Sequence, residues 1–201
     1  MPFPGPMTWY ATGPGNGIQL RSGRLVIACD HIRKVSQERH SHVIYSDDRG
    51  KTWAIGGVAD DKTNESAVAE LRDGSLLLNM RSYRGQNRRE IARSNDGGLT
   101  WSKAEPDPAL IEPVCQASLI RAGNRLLFSN PASLKRERMT VRLSRDDGKT
   151  WLLYKVLHVG PAAYSSLAVL RDGTIGILYE RGDASPYERI TFARFPLGWV
   201  H

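Results

Sequence analysis

Of the 28 basic residues in the chain, 21 are arginine, set against 21 acidic residues for a formal net charge of +7. A guanidinium offers a planar fork of donors that matches a carboxylate, where lysine offers only a point charge. The arginines are scattered, massing only around residues 84–93 and 135–145. That distribution favours an acidic small molecule over a nucleic-acid backbone, which calls for a basic patch on one recognisable motif. Cys29 and Cys115 have no metal-ligand spacing and read as two buried thiols. His40 and His42, two apart, place both rings on one strand face, but no further ligands accompany them, so no metal is expected. Read singly, Tyr164 before Ser165-Ser166-Leu167-Ala168-Val169 is a strand aromatic. Glu65, Glu180, Arg81 and Arg136 read singly as solvated charges. Arg81 is the least ordinary of them, because it ends the apolar run Leu76-Leu77-Leu78.

The elements that must carry these residues are repeated. Ser46-Asp47-Asp48-Arg49-Gly50-Lys51-Thr52-Trp53 returns at Ser94 to Trp101 and again at Ser144 to Trp151, as Ser-x-Asp-x-Gly-x-Thr-Trp with steps of 48 and 50 residues. A second unit, an apolar run on either side of a tight turn at Gly23, Gly74, Gly123 and Gly173, steps by 51, 49 and 50 and reads as a β-hairpin. Two hairpins per ~50 residues match a four-stranded propeller blade. The Ser-x-Asp segment is itself a turn, with too few carboxylates for a calcium loop. At 40% hydrophobic and 24% charged the chain can bury a core, and no apolar run approaches the ~20 residues of a membrane span.

Three such boxes resemble the Asp boxes of the sialidases (neuraminidases), and the resemblance extends from about Gly13 to Trp199. Gly13-Pro14-Gly15-Asn16-Gly17-Ile18-Gln19-Leu20 with Gly23-Arg24-Leu25-Val26 looks like a mid-chain stretch of that family. Asn64-Glu65-Ser66-Ala67-Val68 is similar to the segment with the family's catalytic Glu, and Asn79-Met80-Arg81-Ser82 to the strand with one Arg of its arginine triad. Arg136 stands where the next triad Arg is expected, with Arg138 as the register alternative. Ala163-Tyr164-Ser165-Ser166 looks like the nucleophile site, and Leu178-Tyr179-Glu180 like the Glu that braces the triad.

The resemblance implies an all-β, sialidase-type β-propeller, with about four of six blades present in one partial domain over 1–201 and repeat units near 10–60, 61–110, 111–160 and 161–201. It implies an exo-α-sialidase acting on sialylated glycoconjugates with retention, without a cofactor and with no nucleic-acid partner. Tyr164 would attack, Glu65 would take its proton, Arg81 and Arg136 would hold the substrate carboxylate, and Glu180 would orient an Arg that this chain lacks. The family's early Arg-Ile-Pro segment and acid/base Asp have no counterpart before Gly13. The expectation is therefore a chain that begins about two blades, or ~100 residues, late. The alternative is a propeller of the same repeats that binds glycans or proteins without catalysis.

Overall fold

The computed structural model describes residues 5–200, leaving the first four residues and the last one of the expected 1–201 domain outside the description. The described chain is all-β, and it divides into two compact units, one ending at Asp107 and one beginning at Pro108.

In the first unit, β1 (Met7–Thr12), β3 (Leu25–Arg33), β4 (Arg39–Ser46) and β5 (Ala54–Asp61) form one antiparallel sheet, with the short β2 (Ile18–Gln19) paired to β3. A second sheet follows in sequence order: β6 (Thr63–Glu70), β7 (Leu76–Ser82), β8 (Arg88–Ser94) and β9 (Glu105–Ile111). The strand alternation decides how the sheets meet. Val26, Ala28 and Val43 project from the first sheet and pack with Val68, Leu76, Leu78 and Met80 of the second in one core. In the second unit, β10 (Ser118–Ala122), β11 (Arg125–Pro131) and β12 (Glu137–Ser144) lead into the long β13 (Leu153–Val169), which continues to β14 (Ile175–Arg181) and β15 (Arg189–Phe195). A single core recurs there, in which Leu127, Val141 and Leu143 pack with Leu167, Ile175, Ile177 and Phe195. Both cysteines are buried, and neither forms a disulfide.

The three Ser-x-Asp-x-Gly-x-Thr-Trp segments fold into the same cage, in the turns after β4, β8 and β12. At the middle one, Ser94 Oγ donates to Asp96 Oδ1 (2.7 Å) and accepts from Gly98 N (2.9 Å). Thr100 donates its amide to Asp96 Oδ1 (2.9 Å) and its hydroxyl to Oδ2 (2.6 Å). Asp48 and Asp146 receive the same bonds from Thr52 and Thr150. At Asp48 these bonds, the Thr52 hydroxyl first, hold the carboxyl down at about 2. The Gly of each box sits at positive φ (84°, 90° and 76°), which is why that position is Gly. The tryptophans differ: Trp151 is buried against Phe128, whereas Trp53 is exposed and Trp101 donates Nε1 to Gly57 O (3.0 Å).

Gly57 explains a glycine pair in the middle of β5. Its amide donates to Gly98 O (2.7 Å), so the second box lies on the backbone of the first sheet. A Cβ at Gly57 would fall 2.7 Å from Trp101 Cδ1. Gly57→Ala is therefore expected to destabilise the chain by about 1–3 kcal/mol, read as a lower urea midpoint.

Register pairing of β3 with β4 adds His31 to the two histidines on β4. His31 Nδ1 and His42 Nδ1 lie 3.1 Å apart, and the His31 and His40 rings stack at 5.4 Å. One Nδ1 must accept while the other donates, so the two rings cannot both be protonated. Burial pushes His31 down to about 4 and His42 to about 3, with the neighbouring histidine charges acting in the same direction. The stability these neutral rings contribute is whole above the ordinary histidine value of about 6.5. It drains away as the pH falls below that, because only the unfolded chain then takes up the protons. The urea midpoint should decline steadily from about pH 6.5 to about pH 4, and a flat midpoint across that window would show that the rings are not held neutral.

Candidate functional site

Four of the five candidate residues sit on two β-bulges of the same construction. Between β6 and β7 the register runs Thr63 to Ser82 and then Ser66 to Met80, so Asn64 and Glu65 together oppose the single residue Arg81. Between β13 and β14 it runs Ala162 to Arg181 and then Ser165 to Tyr179, so Ala163 and Tyr164 oppose Glu180. One extra residue re-aims the side chains beside it, and in a regular strand Glu65 and Tyr164 would be turned to other neighbours. The bulges occupy matching positions in the repeat: Arg81 and Glu180 each stand seven residues beyond the hairpin glycine of their unit, Gly74 and Gly173.

In the first unit, Arg81 Nη1 donates to Glu65 Oε2 at 2.7 Å, and the two side chains are only 14% and 15% exposed. Limited water strengthens this charge-assisted bond and holds both groups in one geometry. The Tyr83 ring backs the pair, with the Arg81 guanidinium 5.1 Å and the Arg39 guanidinium 5.0 Å from its centroid. In the second unit, Glu180 Oε2 accepts the Tyr164 backbone amide at 3.0 Å. The Arg136 guanidinium lies 5.9 Å from the centre of the Tyr164 ring, and its Nη1 donates to the Tyr187 hydroxyl. Arg136 Nη2 also donates to Val114 O (3.4 Å). Arg138 is exposed, with φ of 61° on a second irregularity in β12. Each unit thus brings its own candidates together: Glu65 with Arg81 in the first, Arg136 and Glu180 with Tyr164 in the second.

Two residues here were not singled out by the motifs. Tyr187 holds Arg136 from a loop whose sequence carries no repeat signal. Asp30 had a legible signal, since it stands seven residues beyond Gly23, the position that Arg81 and Glu180 hold in their own units. It is buried, and its Oδ2 accepts Trp9 Nε1 (3.1 Å) and Asn64 Nδ2 (2.7 Å). Burial, with the Glu65 charge adding to it, pushes Asp30 up to about 6 against the donors that favour its ionised form. Among the described residues no group of three or more His, Cys, Asp or Glu side chains is placed to hold a metal ion.

The bond from Tyr164 N to Glu180 gives a direct test of the second bulge. Glu180→Ala is expected to speed hydrogen exchange at the Tyr164 amide while leaving the amides of Ile175 and Ile177 protected. Unchanged exchange at Tyr164 would show that Glu180 does not hold it.

Comparison with known proteins adds the following. Residues 3–177 match the model of the BNR repeat-like domain. A sialidase of Micromonospora viridifaciens is 38% identical over 214 residues, covering 99% of this chain and 32% of that protein. Sialidase-3 of Mus musculus is 29% identical, covering 92% of this chain and 58% of its own length. Among solved structures, the Hadza microbial sialidase Hz136 superposes with a TM-score of 0.86 at 37% identity, over 97% of this chain and 39% of that one. An intramolecular trans-sialidase from Ruminococcus gnavus superposes with a TM-score of 0.81 at 25% identity, over 96% and 45%. The chain spans about a third of the length of the bacterial sialidases of M. viridifaciens and Bacteroides fragilis that it matches.

Proposed function

The chain belongs to the sialidase family with BNR repeats and has the all-β fold of its β-propellers, and from that membership we propose that it carries the nucleophile side of an exo-α-sialidase site. The observation that carries the reading is the paired bulge. Glu65 and Tyr164 hold the same position in different sheets, each opposite a charged residue that fixes it. The substrate class is a terminal sialic acid on a glycoconjugate.

A sialic acid bears a carboxylate on its anomeric carbon. A carboxylate nucleophile would approach that carbon against like charge, whereas a neutral phenol does not. Sialidases are the established tyrosine-nucleophile exception among glycosidases. In the proposed first step, the Tyr164 oxygen bonds to the anomeric carbon as its proton passes to the Glu65 carboxylate. The glycosidic bond breaks with its electron pair on the leaving oxygen. In the second, water attacks the same carbon and gives up one proton to the surrounding solvent, which balances the departed oxyanion, while Tyr164 leaves and recovers its own proton from Glu65, and two inversions give net retention. Arg81 and Arg136 hold the substrate carboxylate with forked hydrogen bonds. Glu180 keeps the Tyr164 backbone in place, and the ion pair with Arg81 keeps Glu65 aimed.

On this reading the acid that protonates an alkyl leaving group and the first arginine of the triad are not supplied by this chain, because no Arg-Ile-Pro segment and no matching Asp-bearing segment stand before Gly13. A leaving group that departs as a stable phenolate needs no such acid. The chain is therefore expected to release sialic acid from p-nitrophenyl sialoside far faster than from sialyllactose. On the activated substrate, Tyr164→Phe should lower kcat by about 100-fold or more and Glu65→Ala by about 10²–10⁴-fold, with the urea midpoint kept. Near-normal turnover by Tyr164→Phe would overturn the assignment.

A further inference from the structure

Asp30 has no part in the chemistry above, yet it holds the site position of its own repeat unit. It stands on β3 where Arg81 stands on β7 and Glu180 on β14, each seven residues past the hairpin glycine. The repeat therefore brings this register of the first sheet up to the bulge of the second. Asp30 is 1% exposed, and both hydrogen bonds described for it converge on one oxygen, Oδ2. One donor is the indole of Trp9 on β1. The other is the side-chain amide of Asn64, which is itself one of the two bulged residues and precedes Glu65. The Asn64 carbonyl is held from another side by the Ser41 hydroxyl, and the neighbouring Thr63 hydroxyl accepts the Ser41 amide at 2.9 Å. The bulge is thus gripped through its side chain by β3 and through its backbone by β4.

We propose that Asp30 is a positioning residue for the Glu65–Arg81 pair. It clamps the bulge through Asn64 and sets a buried negative charge beside the base and the guanidinium. The inference rests on the sialidase reading for the meaning of Glu65, but the clamp and the charge stand on the geometry alone. The groups that face Asp30 are the Trp9 indole and Ala11 from β1, Ser41 from β4, Asn64 and Glu65 from β6, and Arg81 from β7. On its own strand the neighbouring thiol of Cys29 also feels its charge. An ionised Asp30 favours movement of a proton onto Glu65, because the proton lowers the repulsion between the two carboxylates. It also attracts Arg81, which keeps the guanidinium on the Glu65 side of the bulge.

Two substitutions separate the clamp from the charge. Asp30→Asn keeps an oxygen for both donors and removes the charge, whereas Asp30→Ala removes both. With p-nitrophenyl sialoside, the unsubstituted protein should show an inflection in kcat near pH 6, where Asp30 ionises, with the higher rate on the alkaline side. Asp30→Asn should lack that inflection and run about tenfold slower above it, the fold-change that one pKa unit of coupling gives. Asp30→Ala should be slower again. An Asp30→Asn protein that keeps both the rate and the inflection would overturn the proposal.

A second measurement does not depend on turnover. The side-chain carboxyl carbon of Asp30, followed by NMR through a pH titration, should shift its midpoint down in Glu65→Gln and up in Arg81→Met. An Asp30 with a merely structural role would move in neither, and that result overturns the proposal even where sialoside hydrolysis is intact. If the midpoint moves as expected while no sialoside is hydrolysed, the coupling stands and the sialidase reading fails.

Discussion

The structure depends on a rule of burial that each repeat imposes on the next. A four-stranded antiparallel sheet cannot hide both of its apolar faces by itself, so it must lay one against a neighbour. Val26, Ala28 and Val43 meet Val68 and Leu76 in one unit, and Leu127 and Val141 meet Leu167 and Ile177 in the other. Because side chains alternate along a strand, this packing also decides where every other residue points. The two bulges are the places where the alternation is broken. They cost a ladder hydrogen bond each and return a re-aimed pair of residues at one end of the sheet. Without the burial rule holding the remainder of β6 and β13 in register, an extra residue would only let the strand slip.

The arginine excess reads differently once partners are assigned. Arg24 is bonded to Asp47, Arg121 to Asp147 and Arg21 to Glu70, each pairing a hairpin with an acid of the same unit. The buried Arg89 reaches the Asn79 side chain at 2.7 Å. Much of the positive charge is thus committed to joining strands, where the planar fork can satisfy several acceptors at once. Arg81 and Arg136, on or beside the bulges, likewise have partners of their own, Glu65 for the one and the Tyr187 hydroxyl for the other.

How much of this was legible in the sequence differs from residue to residue. The boxes announced themselves, because Ser94, Asp96, Gly98 and Thr100 each have one job in a closed hydrogen-bond cage and the spacing cannot vary. The hairpin glycines were legible for a similar reason: Gly23, Gly74, Gly123 and Gly173 all adopt positive φ. The candidate residues came from family resemblance, and no periodicity marks Glu65 or Tyr164. A bulge is a relation between two strands, so the extra residue leaves no trace in either strand read alone. Asp30 lay between these cases. Its distance from Gly23 was countable, but its meaning required knowing that β3 and the β6 bulge share an amide. His40 and His42 were read as sharing one face of a strand, and only pairing with β3 could add His31 to them.

The contact between Gly57 and the second box has a consequence for how the chain can come apart. Trp101 and Gly98 are bonded to the main chain of Gly57, on a strand that belongs to the preceding repeat. A repeat in this unit is therefore not a self-contained module that could be excised, duplicated or exchanged with its neighbour intact. Its closing turn is built partly from the strand before it. Losing one sheet would strip the other of two main-chain partners, so β5 and the Asp96 turn should open to solvent as a single cooperative piece.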